Sequence, residues 1–91
     1  MSIEQKVAVF DTYVQQASKA IMHFDIVVPE GTNTSQVHEY GLDYLNNKGV
    51  EKSYFSTNCC NFCHIEHPTP EMLKAIGEKG YYIIEMEGCH T

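Results

Sequence analysis

The chain has no arginine, and its 91 residues carry only six lysines against 12 acidic residues, which gives a formal net charge of −6. Nucleic-acid binding depends on clustered cations that displace counterions, and base reading relies strongly on arginine forks. The same shortage of cations argues against anionic membranes and bulky phosphate ligands. The sequence therefore predicts no nucleic-acid partner and no membrane partner, whereas a cationic partner or a metal ion fits its charge.

Long apolar runs are also missing, since runs such as Ile26 to Pro29 are far shorter than the roughly 20 residues of a membrane span. Residues 1–9 include Glu4 and Lys6 and lack the basic-then-apolar pattern of a secretion signal. We therefore expect a cytoplasmic protein, in which thiols stay reduced. We then expect the four cysteines to be metal ligands, redox thiols or small buried apolar groups, and not to form disulfides.

The familiar catalytic motifs are absent too: the sequence has no G-x-S-x-G, no P-loop and no G-x-G-x-x-G. Ninety-one residues predict one domain over 1–91, with 89–91 as a loose tail, because a second core would have too little chain to bury. A domain this short hides only about two-thirds of its unfolded surface, which makes a deep active site hard to build. Small size and missing motifs favour a non-enzymatic module that binds a partner or forms a homo-oligomer.

Two segments near the N-terminus have the composition of strands. Residues 6–14 are rich in β-branched and aromatic types, and in residues 20–28 apolar side chains alternate with His23 and Asp25. The short polar stretch between the two segments predicts a β-hairpin.

Two helices are predicted from apolar spacing and from capping residues. The first runs from Thr34 to Lys48, with Thr32, Asn33 and Thr34 all acceptable as the N-cap, and it ends before Gly49, a favourable residue just past a helix C-terminus. The second starts at Thr69 as the N-cap with Pro70 in the first position, and it runs to Lys79.

Two further strands complete the predicted order. Ser53 to Thr57 is a short candidate within residues 50–68, which otherwise lack a clear period, and Tyr81 to Glu87 is the last strand. A β-hairpin, helix, short strand, helix and final strand are typical of an α+β domain with one antiparallel or mixed sheet and two helices on one face. The tyrosine-rich last strand is a candidate edge or dimer surface, so we expect a homodimer or a protein partner.

Four runs of the sequence are distinctive: Val7 to Val14, Met22 to Ile26, Cys60 to His64 with Glu66, and Gly80 to Cys89. Together they resemble a small bacterial family of uncharacterised proteins, the one numbered two-thousand-twenty-four among the domains of unknown function. The resemblance covers almost the whole chain and implies a compact α+β domain of bacterial origin. It implies no activity, because the family has none assigned.

A cluster of cysteine and histidine residues is the feature of the sequence that most strongly indicates a functional site. Cys60 and Cys63 form a C-x-x-C pair that can hold one soft ion, with Zn–S bonds of about 2.3 Å. His64 or His67 would add an imidazole; adjacent residues tend to point apart, which weakens Cys63 with His64, whereas the family resemblance favours His64. We therefore predict a zinc-like site of Cys60, Cys63, His64 and Cys89.

Cys89 is far in sequence from the other three predicted ligands, so its approach to them depends on the topology of the chain. One short helix separates the cluster from the final strand, so we expect that strand to return alongside and to bring Cys89 to the cluster. Two other interpretations stay open. One is a thiol-redox switch among the four cysteines, and the other is core packing of the cysteines as small apolar groups beside Phe62 and Ile65.

Asp11 and His23 form a second, weaker candidate site on the two arms of the predicted hairpin. If the turn centres on Ala17, the two side chains face each other directly. A carboxylate fixes the tautomer of an imidazole, as general bases and metal ligands require. The alternative is a simple cross-strand contact of little energetic consequence.

Overall fold

A computed structural model of the chain describes residues 6–15, 21–49 and 60–87. The elements in this part of the chain are β1 (Val7–Gln15), β2 (Ile21–Pro29), α1 (Thr34–Lys48), β3 (Cys60–Glu66), α2 (Pro70–Lys79) and β4 (Tyr82–Glu87). The four strands form one antiparallel sheet in the order β3-β1-β2-β4, so that β3 and β4 are its edges. The α+β class and the hairpin-first order predicted from the sequence are confirmed.

The register of the hairpin differs from the one that a turn centred on Ala17 would give. In the β1–β2 ladder Asp11 lies opposite Asp25, and His23 lies opposite Tyr13. Asp11 and His23 are therefore diagonal neighbours instead of a direct pair. Phe24 and Asp25 still point to opposite faces, as the alternation of the sequence predicts.

The two helices pack on opposite faces of the sheet, so the prediction that both lie on one face is wrong. The α1 side chains Val37 and Leu45 belong to a core built on one set of alternate strand residues, which includes Phe24 and Ile26. The α2 residue Met72 packs on the other set: Val7, Val9 and Val27. Because both sets are apolar, both faces of the sheet need a cover.

The strand β3 was not predicted, since the sequence of residues 60–66 has no clear period. The predicted short strand from Ser53 to Thr57 lies outside the described residues. β4 pairs with β2, so β1 and β2 separate it from β3 by about 14 Å at the usual strand spacing. The expectation that the last strand returns alongside the cysteine cluster is therefore wrong.

Both helices begin and end where the capping residues predict. The Asn33 side chain accepts a hydrogen bond of 2.8 Å from the Gln36 N–H, and Thr69 Oγ1 accepts one of 3.2 Å from the Met72 N–H. Gly49 and Gly80 end the two helices with positive φ angles of 73° and 94°. Within the described residues, neither helix is long and apolar enough to cross a membrane.

Candidate metal centre

α2 covers only one half of its face of the sheet. It contacts Val7, Val9 and Val27, whereas the next residues on the same face of β1 and β2 are polar. Strand alternation places Asp11, His23 and Asp25 on this face, nearer the hairpin end. The neighbouring edge strand β3 adds Cys63, His64 and Glu66. We call these six residues the polar cluster.

The centre of the polar cluster is a histidine between two carboxylates. His23 Nε2 lies 3.9 Å from Asp11 Oδ1 and 3.9 Å from Asp25 Oδ1. One ligand atom from each of the three residues lies within 4.8 Å of the others. The ring of Tyr13 stacks on His23 with centroids 4.0 Å apart and an interplanar angle of 11°, which restricts the orientation of the imidazole.

Asp25 is the most perturbed carboxylate of the polar cluster. The residue is only 5% exposed, and its Oδ1 is buried without a hydrogen-bond partner in the described part of the chain. Burial, a hydrogen bond with Asp11 and the charge of Asp11 raise the pKa of Asp25 to about 7, and the charge of His64 opposes this shift. A buried carboxylate with this pKa is poorly compensated and would be stabilised by a cation.

A β-bulge brings the β3 residues of the polar cluster together. In the β1–β3 ladder His64 lies opposite Val9 and Phe62 opposite Phe10, so Cys63 is an extra residue between two paired positions. His64 therefore shares the α2 face with Asp11. Cys63 Sγ lies 3.2 Å from His64 Nδ1, although residues adjacent in a regular strand point apart.

The imidazole of His64 links a thiol to a carboxylate. His64 Nε2 lies 2.7 Å from Glu66 Oε1. If Nε2–H donates to the Glu66 carboxylate, Nδ1 is the acceptor for the Cys63 thiol. This arrangement fixes one tautomer of His64.

The pKa of Cys63 is influenced by Asp11 on the neighbouring strand β1. Desolvation of the thiol, the charge of Asp11 and a hydrogen bond to Asp11 raise the pKa of Cys63 above its usual value. The thiol has one proton, which it can donate either to Asp11 or to His64. A second bulge, in the β2–β4 ladder beside His23, lies next to the same cluster, and bulges often occur beside functional sites.

The structure shows the positions of only some residues of the predicted cysteine site. Cys63 and His64 are in contact, whereas His67 is exposed beyond the end of β3. The backbone of Cys60 lies opposite Thr12 in the ladder, and Cys89 lies outside the described residues. The four-ligand set of Cys60, Cys63, His64 and Cys89 therefore stays a prediction.

Three residues of the cluster are exposed, which argues against the core-packing interpretation, although the Phe62 ring contacts the buried Phe10 ring with centroids 5.7 Å apart. Phe62 is 57% exposed and Ile65 is 37% exposed, and Cys63 is exposed as well. They lie on β3, and no other strand among the described residues pairs with its outer edge.

Sequence reasoning missed Asp25 and Glu66 as members of the site. A signal for Asp25 was present in the sequence. Asp25 and His23 are two residues apart, so they share one face of the second hairpin strand, and the first hairpin strand carries Asp11. The signal for Glu66 was its spacing of two residues from His64. In a strand, two residues at this spacing are neighbours on one face, but this inference requires knowing that residues 60–66 form a strand.

The comparisons with known proteins give a family and a fold. A family model described as "Domain of unknown function (DUF2024)" matches residues 5–86, which confirms the resemblance seen in the sequence. The NMR structure of protein NE1680 from Nitrosomonas europaea is similar to this chain, with 33% sequence identity and a TM-score of 0.81. The match covers 93% of this chain and 99% of that protein. No curated protein matches the sequence.

Proposed function

This chain belongs to the DUF2024 family, and we propose that it is a small metal-binding protein whose ion lies between Asp11, His23 and Asp25. The observation that carries this proposal is the buried Oδ1 of Asp25, which has no hydrogen-bond partner among the described residues. Buried carboxylates are normally paired or coordinated to metals, because an uncompensated charge is costly in a protein interior. A divalent cation between the two carboxylates and the imidazole would supply the compensation.

The charges around the polar cluster support the same proposal. Within the described residues, no lysine forms an ion pair with Asp11, Asp25 or Glu66. Such a local excess of negative charge attracts cations from solution and concentrates them at the site. Carboxylate and imidazole are both common ligands of divalent metals.

Asp25→Asn is expected to weaken zinc binding by about 100-fold or more, since even the loss of an outer-shell partner typically costs 10–100-fold. Calorimetric titration of the chelator-treated full chain with Zn²⁺ at pH 7.5 measures the effect. The unsubstituted protein should bind about one ion per chain at this site. Asp43→Asn is the matched control, because Asp43 bonds to Tyr81 on the α1 side of the sheet.

Two results would contradict the proposal: no zinc binding by the chelator-treated protein, or equal affinity in Asp25→Asn and Asp43→Asn. Cys89→Ser separates the alternative sites. A large loss of affinity in Cys89→Ser with none in Asp25→Asn would support the four-ligand site of Cys60, Cys63, His64 and Cys89. The thiol-redox alternative instead predicts a thiol count that changes reversibly with oxidant and does not depend on zinc.

The proposed setting of the protein is the bacterial cytoplasm. In that reducing compartment the four cysteines would stay reduced and available as metal ligands. A bacterial origin is supported by the similar protein NE1680, which comes from Nitrosomonas europaea.

A second candidate function is the binding of a protein partner, with homodimerisation as its simplest form. It is favoured by β3, an edge strand whose outer backbone groups lack a neighbouring strand in the described part of the chain. Phe62 and Ile65 add exposed apolar surface along the same edge. Exposed apolar edge strands readily pair with another chain, so a second copy could extend the sheet.

Ile65→Lys is expected to abolish such a dimer, because an edge lysine opposes strand pairing. Light scattering over a wide concentration range should give a dimer for the unsubstituted protein and a monomer for the variant. Leu73→Lys is the control, since Leu73 is an exposed apolar residue on α2, away from β3. A monomer at all concentrations, or a dimer that survives Ile65→Lys, would remove this candidate.

A further inference from the structure

A thiol, an imidazole and a carboxylate are in contact on β3, beside the three residues of the proposed ion site. Cys63 Sγ lies 3.2 Å from His64 Nδ1, and His64 Nε2 lies 2.7 Å from Glu66 Oε1. A nucleophile next to a base that a third group orients is the usual arrangement of activated side-chain nucleophiles. When Nε2–H donates to Glu66, the lone pair of His64 Nδ1 is available to accept the thiol proton.

The Cys63 thiol is accessible to a reaction partner. Cys63 is the extra residue of the β-bulge, between the positions that pair with Val9 and Phe10, and it is exposed. No strand among the described residues pairs with the outer edge of β3. Attack on a disulfide sulfur requires such access, and unlike attack on a carbonyl it requires no fixed hydrogen-bond donors for an oxyanion. The arrangement therefore suits exchange with a disulfide.

We propose that Cys63 is a nucleophilic thiol that exchanges with cationic disulfides, with His64 as its base and Glu66 as the residue that orients the imidazole. This inference goes beyond the proposed function, because it uses none of the three proposed ion ligands. It requires no bound metal, and the disulfide itself is the oxidant.

The negative charge around Cys63 determines the class of disulfide. Glu66 is held next to the thiol through the His64 ring, and Asp11 lies on the neighbouring strand. The whole chain adds a formal net charge of −6. Such a field attracts a cationic reagent and repels an anionic one. A disulfide of amine-bearing thiols is therefore favoured over a disulfide of carboxylic acids.

The exchange begins with the protonated thiol, since desolvation and the nearby carboxylates raise the pKa of Cys63. Cys63 gives its proton to His64 Nδ1 as its sulfur attacks one sulfur of the disulfide. A new S–S bond forms while the S–S bond of the reagent breaks, and the leaving thiolate takes the proton from His64. Cys63 is thereby oxidised to a mixed disulfide, and the other half of the reagent is reduced to a free thiol. A second thiol reverses the reaction by attacking the mixed disulfide.

A full chain with Cys63 as its single thiol tests the class of disulfide. The variant that combines Cys59→Ser, Cys60→Ser and Cys89→Ser is kept in chelator and mixed with cystamine, hydroxyethyl disulfide or dithiodipropionate, which are cationic, neutral and anionic. Mass spectrometry follows the formation of the mixed disulfide. At low ionic strength we expect cystamine to react about 10-fold faster than dithiodipropionate, and added salt should reduce the difference.

His64→Gln in the same single-thiol chain tests the base. The glutamine amide can keep the hydrogen bond to Glu66, but it offers no base in place of Nδ1. We expect exchange with hydroxyethyl disulfide to slow by about 10- to 100-fold. His67→Gln is the matched control, because His67 is exposed beyond the end of β3. Glu66→Ala should react more slowly than Glu66→Gln, since both lose the charge and only glutamine keeps an acceptor for Nε2–H.

Circular dichroism spectra establish that each variant is folded, and peptide mapping of the unsubstituted protein after brief reaction should find the mixed disulfide at Cys63. Equal rates for His64→Gln and His67→Gln would overturn the base, and equal rates for the two Glu66 variants would overturn the orienting role. Dithiodipropionate reacting as fast as cystamine would overturn the cationic class. Because chelator is present throughout, these outcomes do not depend on zinc binding, and a failure of zinc binding would leave this inference standing.

Discussion

Gly80→Ala is expected to lower the free energy of unfolding by about 2–5 kcal/mol, from two separate causes. The φ angle of Gly80 is 94°, a conformation that costs an L-residue about 1–2 kcal/mol. A Cβ at this position would also lie 2.5 Å from Tyr40 Oη and 3.0 Å from Tyr40 Cζ. Overpacking of this kind typically costs about 1–3 kcal/mol.

The Tyr40 ring has little freedom to move away from the new methyl group. It stacks on Tyr81 with centroids 4.8 Å apart, and Tyr81 is buried and donates a hydrogen bond to Asp43. Gly80 thus marks the point where the end of α2 meets α1 across the start of the last strand. A methyl group there would disturb the contact between the two helical layers.

Gly31→Ala is the matched control for the backbone contribution. Gly31 has the same φ of 94°, but a Cβ there would have no heavy atom within 4 Å. Urea unfolding of both variants, and of Gly80→Ala combined with Tyr40→Phe, separates strain from overlap. We expect Gly80→Ala to be the more destabilising and Tyr40→Phe to recover part of the difference. Equal losses for the two alanine variants would show that the Tyr40 contact has no energetic effect.

The elements that were predictable from the sequence are those fixed by local interactions. The bounds of α1 follow from Asn33 and Gly49, and those of α2 follow from Thr69, Pro70 and Gly80, because each cap satisfies backbone groups within a few residues. The alternation in β2 likewise shows which side chains share a face. These signals do not depend on where other parts of the chain lie.

The arrangement of the sheet was not predictable because it depends on long-range pairing. The order β3-β1-β2-β4 puts the last strand beside β2, and no local pattern specifies that choice. The faces of the helices follow from it: the apolar residues Val7, Val9 and Val27 needed a second cover, and α2 supplies it. Reading these valines as a second buried face would have predicted helices on both sides.

The sequence patterns pointed to only one half of the polar cluster. The C-x-x-C pair drew attention to Cys63 and His64, which the structure does bring together. The reason they meet is a one-residue bulge, and a bulge depends on the pairing of two strands that are distant in sequence. The carboxylate half of the site depends on the hairpin register, which differs by two residues from the expected one, and on the burial of Asp25.

The metal-free protein is expected to lose about 2–3 kcal/mol of stability between pH 5 and pH 8 through Asp25. The pKa of Asp25 is about 7 in the folded protein, against about 3.9 for an unfolded aspartate. A group whose pKa is raised by folding stabilises the fold fully below its unfolded pKa and loses that effect as the pH rises through the folded pKa. The loss therefore falls between about pH 4 and pH 7, at up to 1.36 kcal/mol for each pH unit.

Asp25→Asn should remove this pH dependence, because the amide resembles the neutral acid at every pH. The variant is then expected to match the unsubstituted protein near pH 5 and to exceed its stability by about 2–3 kcal/mol at pH 8. Urea unfolding in the presence of a chelator measures both proteins, and Asp43→Asn serves as the control. Zinc should reverse the order at pH 8, because it binds the ionised carboxylate and stabilises only the unsubstituted protein. Parallel pH profiles for the two proteins would show that Asp25 titrates as an ordinary carboxylate and that its burial creates no demand for a cation.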